Sequence, residues 1–248
     1  MKILFVNPSL RLNHPYKILP VGLAMVMTYI EKNGYEFDLY DIDINDISND
    51  EVDKFIQNNH YDIILFGTIV THYKWVKWFV NTIKKHSPKT CVIVGNSVAG
   101  SIPEVFLQNT KADVVVIGEG ELTTLEVINA AKDKTGIEQI SGIAYRNERN
   151  EIIKNPTRKA EPNIDIFPMI EWGKYFDIER YLKYSSGLSN GVTDLSNVIA
   201  FPISSARGCA FRCTFCHRSG RGIKNLETRK LWKKILWTFN SKNWYRKI

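Results

Sequence analysis

The chain has 248 residues, 44% hydrophobic and 24% charged, the balance of an ordinary folded protein with one large or two modest domains. No apolar run approaches the ~18 residues that span a bilayer, and the apolar part of the N-terminus is too short for a signal peptide. The net charge of +7 is concentrated at one end, since nine Lys or Arg against a single acid fall between Arg221 and Ile248, so the rest of the chain is close to neutral and a nucleic-acid partner is not expected.

Residues 2–6 are a β-rich apolar run that ends at Asn7-Pro8. Pro20 opens a helical stretch over 21–30, stopped by Asn33-Gly34. A strand over 37–41, a short helix over 49–58 and a strand over 62–67 follow. Then come a helix over 73–86, a strand over 90–95, a helix over 103–109, a strand over 112–118 and a helix over 121–132. Near-continuous apolar strands alternating with helices define an α/β fold with a parallel sheet covered on both faces. Five such units match a flavodoxin-like doubly wound domain over residues 1–135. Cys91, at the start of an apolar run, reads as a small buried hydrophobe. Trp75, Trp78 and Phe79 stand at helical spacing and read as core.

The pattern changes over 136–195. Residues 140–145 and 151–154 flank a polar turn and read as a β-hairpin. A proline-containing stretch over 156–168 reads as an extended linker, residues 175–184 as a short helix and 185–197 as a polar loop. Residues 197–203 then form a strand that feeds Ser205-Ala-Arg-Gly-Cys-Ala-Phe-Arg-Cys-Thr-Phe-Cys-His217.

That stretch holds three of the four cysteines, Cys209, Cys213 and Cys216, in a C-x3-C-x2-C spacing. Thiolates so close on one loop can share a metal centre, and clustered thiols fit a reducing, cytoplasmic setting better than a disulfide framework. Three ligands suit an iron–sulfur cluster with one open iron. A closed zinc site wants a fourth protein ligand. The spacing alone leaves both open, along with unliganded cysteines.

This loop, with Phe215 before the last cysteine and Arg207-Gly208 before the first, resembles the cluster loop of radical S-adenosylmethionine (SAM) enzymes. The resemblance implies a 4Fe–4S cluster on Cys209, Cys213 and Cys216, with SAM on the open iron and Phe215 near its adenine. It further implies SAM cleavage to a 5′-deoxyadenosyl radical for methyl transfer or rearrangement, and an electron donor such as flavodoxin or ferredoxin. Upstream, Pro20-Val-Gly-Leu-Ala24, Asn33-Gly-Tyr-Glu-Phe37, Gly95 with Pro103-Glu104, and Gly118-Glu-Gly-Glu121 come in the order of the cobalamin-binding domain that precedes many radical SAM domains. That likeness implies cobalamin in the crevice at the strand ends, against Asn7, Thr68, Thr71, Gly95, Asn96, Gly118, Glu119 and Gly120. The D-x-H-x-x-G motif of histidine-ligated cobalamin proteins is missing, since no histidine has Asp two residues before it. His14 and His72 stand on crevice loops and could substitute, although a loop histidine is ordinarily solvated.

In the family a (β/α) barrel continues far beyond the cluster loop. Residues 196–248 give its first strand and loop, with a helix expected over 226–239. The chain therefore reads as a radical SAM protein with an incomplete, C-terminally truncated barrel. Two other readings remain at this level: an inactive fragment that at most binds cobalamin, and a zinc protein whose basic tail touches nucleic acid.

Overall fold

A computed structural model describes residues 1–9, 12–13, 17–185, 202–209, 211, 213–214 and 222–225. The expectations placed on Cys216, Phe215, His14, the strand residues 197–201 and the helix over 226–239 lie outside the described residues.

Five parallel strands form the frame: β1 (Ile3–Asn7), β2 (Asp38–Asp41), β3 (Ile63–Gly67), β4 (Cys91–Gly95) and β5 (Val114–Val116), in the order β2-β1-β3-β4-β5. This is the flavodoxin-like order. All five residues of β1 are buried, because helices cover both faces. Alternation along β1 sends Ile3 and Phe5 to one face, Leu4 and Val6 to the other. On the first face they meet α1 (Val21–Lys32) and α7 (Gly120–Asp133), through Met27 and Ile128. On the second they meet α3 (Asn49–Asn58), α4 (Tyr73–His86) and α6 (Pro103–Asn109), through Val52, Phe79 and Phe106.

Local chemistry sets the helix ends. At α3 the Ser48 side chain accepts from the Glu51 backbone, and Glu51 Oε2 accepts from Ser48 N at 2.9 Å, a complete capping box. Pro103 starts α6 where a missing N–H is harmless. In α4, Trp75 stacks on the fully buried Phe79 with ring centroids 4.8 Å apart.

The hairpin expected after α7 forms as β6 (Ile143–Arg146) and β7 (Ile152–Lys154). It extends the same sheet, pairing antiparallel to β5 with Val116 opposite Ile143. The chain then returns across the α1/α7 face. Asn155 Nδ2 donates to the carbonyls of Ile137 and Ile140 at 3.0 and 2.8 Å. Helices α8 (Trp172–Tyr175) and α9 (Ile178–Ser185), with Phe176 between them, put Trp172, Phe176, Tyr181 and Leu182 into the core on that face.

Residues 202–203, expected to end a strand, are not in one. Among the described residues a strand lies at β8 (Ala206–Cys209), which pairs antiparallel with β9 (Gly222–Asn225). The antiparallel ladder satisfies backbone groups that a lone parallel edge would leave open.

Candidate functional site

The carboxyl ends of β1, β3, β4 and β5 open into one cavity of about 580 Å³, within the size range of small-molecule sites. Its floor is apolar, with Phe5, Leu65, Ile93 and Val116 from the strands. One wall is the start of α1 (Pro20 to Val26) and another the start of α7 (Gly120, Glu121, Thr124). Both helices begin without a side-chain cap at this cavity, and the Val21 N–H of α1 donates to Leu19 O at 2.9 Å.

Of the crevice residues expected from the sequence, Asn7, Gly95, Asn96, Gly118, Glu119 and Gly120 line this cavity. Thr68 and Thr71 do not. Thr68 is fully buried; its N–H donates to Gly95 O at 3.0 Å and its carbonyl accepts from Val98 N at 3.3 Å. Thr71 is exposed in a 3-10 turn, Val70–His72, that points the next residue inward instead. Gly118 needs its lack of a side chain, since its φ is +85°.

Asn7 lines the cavity, but its amide serves the frame. Its Nδ2 donates to Asp41 Oδ1 at 2.8 Å and to the Tyr181 hydroxyl oxygen at 2.9 Å. The Tyr181 hydroxyl lies 2.9 Å from Asp41 Oδ2 as its donor. Burial pushes the Asp41 carboxyl above its ordinary value of 3.8, against the lowering effect of the Asn7, Tyr181 and Ile44 hydrogen bonds. Folded Asp41 therefore holds its proton more tightly than unfolded Asp41. Its contribution to stability is greatest below pH 3.8 and falls as pH rises through the raised folded value. Asp41→Asn keeps an acceptor for Asn7 and Ile44 without a charge. Urea midpoints from pH 4 to 7 should show wild type losing stability relative to this variant as pH rises; a constant difference would mean that Asp41 is charged throughout.

His72 is the main departure from the sequence reading. It is buried, 8% exposed, and lines the cavity rather than standing in solvent. Its Nε2 has no hydrogen-bond partner among the described residues. Burial lowers its pKa below 6.5, partly opposed by the Asp43 carboxylate, so the ring is neutral at neutral pH. Asp43 is itself occupied: Oδ1 accepts from Ser9 Oγ at 2.7 Å and lies 3.5 Å from Nζ of the buried Lys17. Lys17 completes its shell at Asp46, 2.6 Å away.

Arg207, two residues before Cys209, closes the cavity. Its Nη2 donates to Oε1 of the buried Glu121 and lies 3.2 Å from Met25 Sδ. Its guanidinium carbon sits 4.5 Å from the Phe167 ring centroid, a cation–π contact. Nothing in the local sequence signals this contact, because the pair is 86 residues apart. The cysteine strand is thereby fixed to the crevice wall. Cys209 and Cys213 are exposed. Cys91, expected to be buried, is half-buried at the start of β4 and packs against the α1/α7-side core, where desolvation pushes its thiol up to about 12.

A flavodoxin-like domain with an apolar, glycine-edged crevice at its strand ends, and a cysteine strand clamped beside it, defines an α/β cofactor-binding protein. Comparison with known proteins shows what the chain is similar to. Residues 10–128 match the B12-binding domain family. The chain is 24% identical to cytidylyl-2-hydroxyethylphosphonate methyltransferase of Streptomyces wedmorensis, over 87% of this chain and 47% of that one. It is 26% identical to the anaerobic magnesium-protoporphyrin IX monomethyl ester cyclase of Rubrivivax gelatinosus, over 87% of this chain and 38% of that one. Among solved structures, the cobalamin-dependent SAM radical enzyme OxsB superposes with TM-score 0.76 at 21% identity, covering 98% of this chain and 32% of that one. The radical SAM methyltransferase TsrM of Kitasatospora setae superposes with TM-score 0.76 at 16% identity, covering 98% and 46%. The chain spans less than half the length of these relatives. These relatives are radical SAM proteins that carry a cobalamin-binding domain, the family that the motifs of this chain resemble.

Proposed function

We propose that the crevice binds cobalamin and that Cys209, Cys213 and Cys216 hold a 4Fe–4S cluster serving SAM. The observation that carries the first half is the cavity at the strand ends, inside a matched B12-binding domain. The residues present fit such a cofactor. Gly95 and Gly118 keep side chains away from the cavity edge, and the apolar floor suits a large organic ligand. Exposed Cys209 and Cys213, the first on the same strand as Arg207, support the second half.

When bound, the cluster supplies an electron for SAM cleavage and cobalamin a carrier for a methyl group. The chain's own residues set the stage. Arg207 pins the cysteine strand to the cobalamin wall, and the network of Asn7, Asp41 and Tyr181 holds the end of β1 rigid beneath it. The working setting is the cytoplasm, which keeps the thiols reduced. A flavodoxin or ferredoxin is the proposed donor, and the reaction class is methyl transfer or rearrangement of a small molecule. Among the described residues no helix is long and apolar enough to cross a membrane.

Anaerobic reconstitution of the full chain with iron and sulfide should give a cluster spectrum that SAM perturbs. Cys213→Ala should abolish it. Cys91→Ala should leave it intact, because that half-buried thiol packs against the core, away from the cysteine strand, with its pKa pushed up to about 12. Stoichiometric zinc without iron, or a cluster lost with Cys91 and kept without Cys213, would overturn the assignment.

A further inference from the structure

We propose that Arg207 is a positioning residue through which occupancy of the crevice orders the cysteine strand, an inference that rests on the cobalamin reading above. Strands β8 and β9 form a two-stranded sheet apart from the seven-stranded one. Ala206, Gly208 and Cys209 of β8 are exposed, while the Arg207 side chain turns into the body of the fold and is 15% exposed. Where Cys209 stands therefore depends on what holds Arg207, two residues before it.

What holds it is the cavity wall. At α7, Nη2 donates to Glu121 Oε1, and at α1 it lies 3.2 Å from Met25 Sδ. Nη1 stands 4.0 Å from Oε1 of Glu119, the residue before α7, whose Oε2 accepts from Glu161 N at 3.3 Å. Phe167, which carries the guanidinium on its ring, packs edge-on against Tyr29 of α1 with centroids 5.6 Å apart.

A surface ion pair could tether a strand anywhere. This one uses residues that a ligand in the crevice would itself touch, since Met25, Glu119, Glu121 and Arg207 all line the cavity. The two helix starts approach so closely that a Cβ on Gly120 would stand 3.1 Å from Val26 Cγ2. A ligand seated between them holds Met25 and Glu121 together, and with them the socket that the guanidinium fills. The ordering cost met on filling the crevice is then not met again at the cysteine strand. By linkage, an ordered strand favours the filled crevice in return.

Hydrogen exchange of the full chain, without a cluster, tests this with methylcobalamin kept in the dark. Its addition to wild type should slow exchange of the amides in residues 202–209 about 10-fold. Arg207→Gln should exchange faster there before addition and show no further slowing, although it still retains methylcobalamin. A purely structural role would raise exchange by the same factor with and without the cofactor, and that result overturns the proposal. Glu121→Gln keeps an acceptor for the guanidinium and should show less slowing than wild type. Full slowing in that variant also overturns the proposal, so the test stands even if Arg207→Gln does not fold, as judged by exchange in β3. Lys77→Ala, at an exposed site on α4, should slow as wild type does. Slowing that survives in Arg207→Gln would mean that the cofactor touches the strand directly. No slowing in a wild-type chain that retains methylcobalamin would mean that strand and crevice are independent. Either overturns the proposal and leaves cobalamin binding standing. A wild-type chain that retains no methylcobalamin overturns the underlying reading, and this proposal with it.

Discussion

Arg207→Ala is expected to lower the unfolding free energy by about 3 kcal/mol, the cost of stranding one partner of a buried ion pair. Glu121 is 3% exposed and has this guanidinium as its cation, while Arg207 also contacts Met25 and Phe167. Removing the arginine leaves Glu121 against an apolar wall with its charge unmatched. Glu121→Gln should cost less, because a neutral amide can still accept from the guanidinium. In the double variant the two losses should not add, since the second substitution relieves the stranded charge. Arg207→Lys should restore little, because an ammonium cannot lie flat on Phe167 as a guanidinium does. Urea unfolding measures the cost, and limited proteolysis within residues 202–209 reports whether the cysteine strand has left the wall. A loss below about 0.5 kcal/mol would class the contact with exposed pairs and remove the argument that Arg207 joins the two proposed cofactor sites.

Elements governed by local signals were legible in the sequence. Helix α3 has its Ser48–Glu51 box, α6 has Pro103 at its first turn, and α4 has a clear apolar period; all three run over the expected residues. The strands were legible because burial on both faces makes each a continuous apolar run. Two short helices were not: α2 (Ile42–Asn45) and α5 (Asn96–Ser101) are too brief for a period to show. At Asn96 the backbone φ is +71°, a left-handed turn into α5 that an Asn accommodates.

The site was legible in outline and obscure in detail for a physical reason. Which loops form the crevice follows from topology, so the glycines at the ends of β4 and β5 were found. Which side chain in a loop turns inward depends on the loop's own geometry. The sequence offered Thr68 and Thr71 as crevice contacts, yet Thr68 is buried with its backbone bonded to Gly95 and Val98, while the 3-10 turn exposes Thr71 and turns in His72. Likewise Asn7 looked like a ligand contact until Asp41 and Tyr181, 34 and 174 residues away, took its amide. Arg207 stood out only as the residue before Gly208-Cys209. Its partner Glu121 was visible in a second motif, but nothing in either stretch joined the two.

Gly95→Leu gives the sharpest test of where cobalamin sits. Gly95 closes β4, pairs in register with Gly67 and lines the cavity. Its φ of −126° and ψ of −160° are extended backbone that any residue adopts. A Cβ there would meet nothing nearer than Val116, at 4.0 Å, which is ordinary contact. The fold therefore accommodates a side chain at this position, and the melting temperature should stay within about 4 °C of wild type, the equivalent of roughly 1 kcal/mol. The remaining leucine carbons extend into the space assigned to the ligand. Cobalamin affinity should fall about 100-fold, or near 2.8 kcal/mol, as read by spectral titration of the purified chain. Reconstitution of the cluster on Cys209, Cys213 and Cys216 should be unaffected, because the substitution lies on β4 and not on the cysteine strand, which separates loss of one cofactor site from general damage. A folded Gly95→Leu chain with undiminished cobalamin affinity would place the cofactor away from the strand-end crevice.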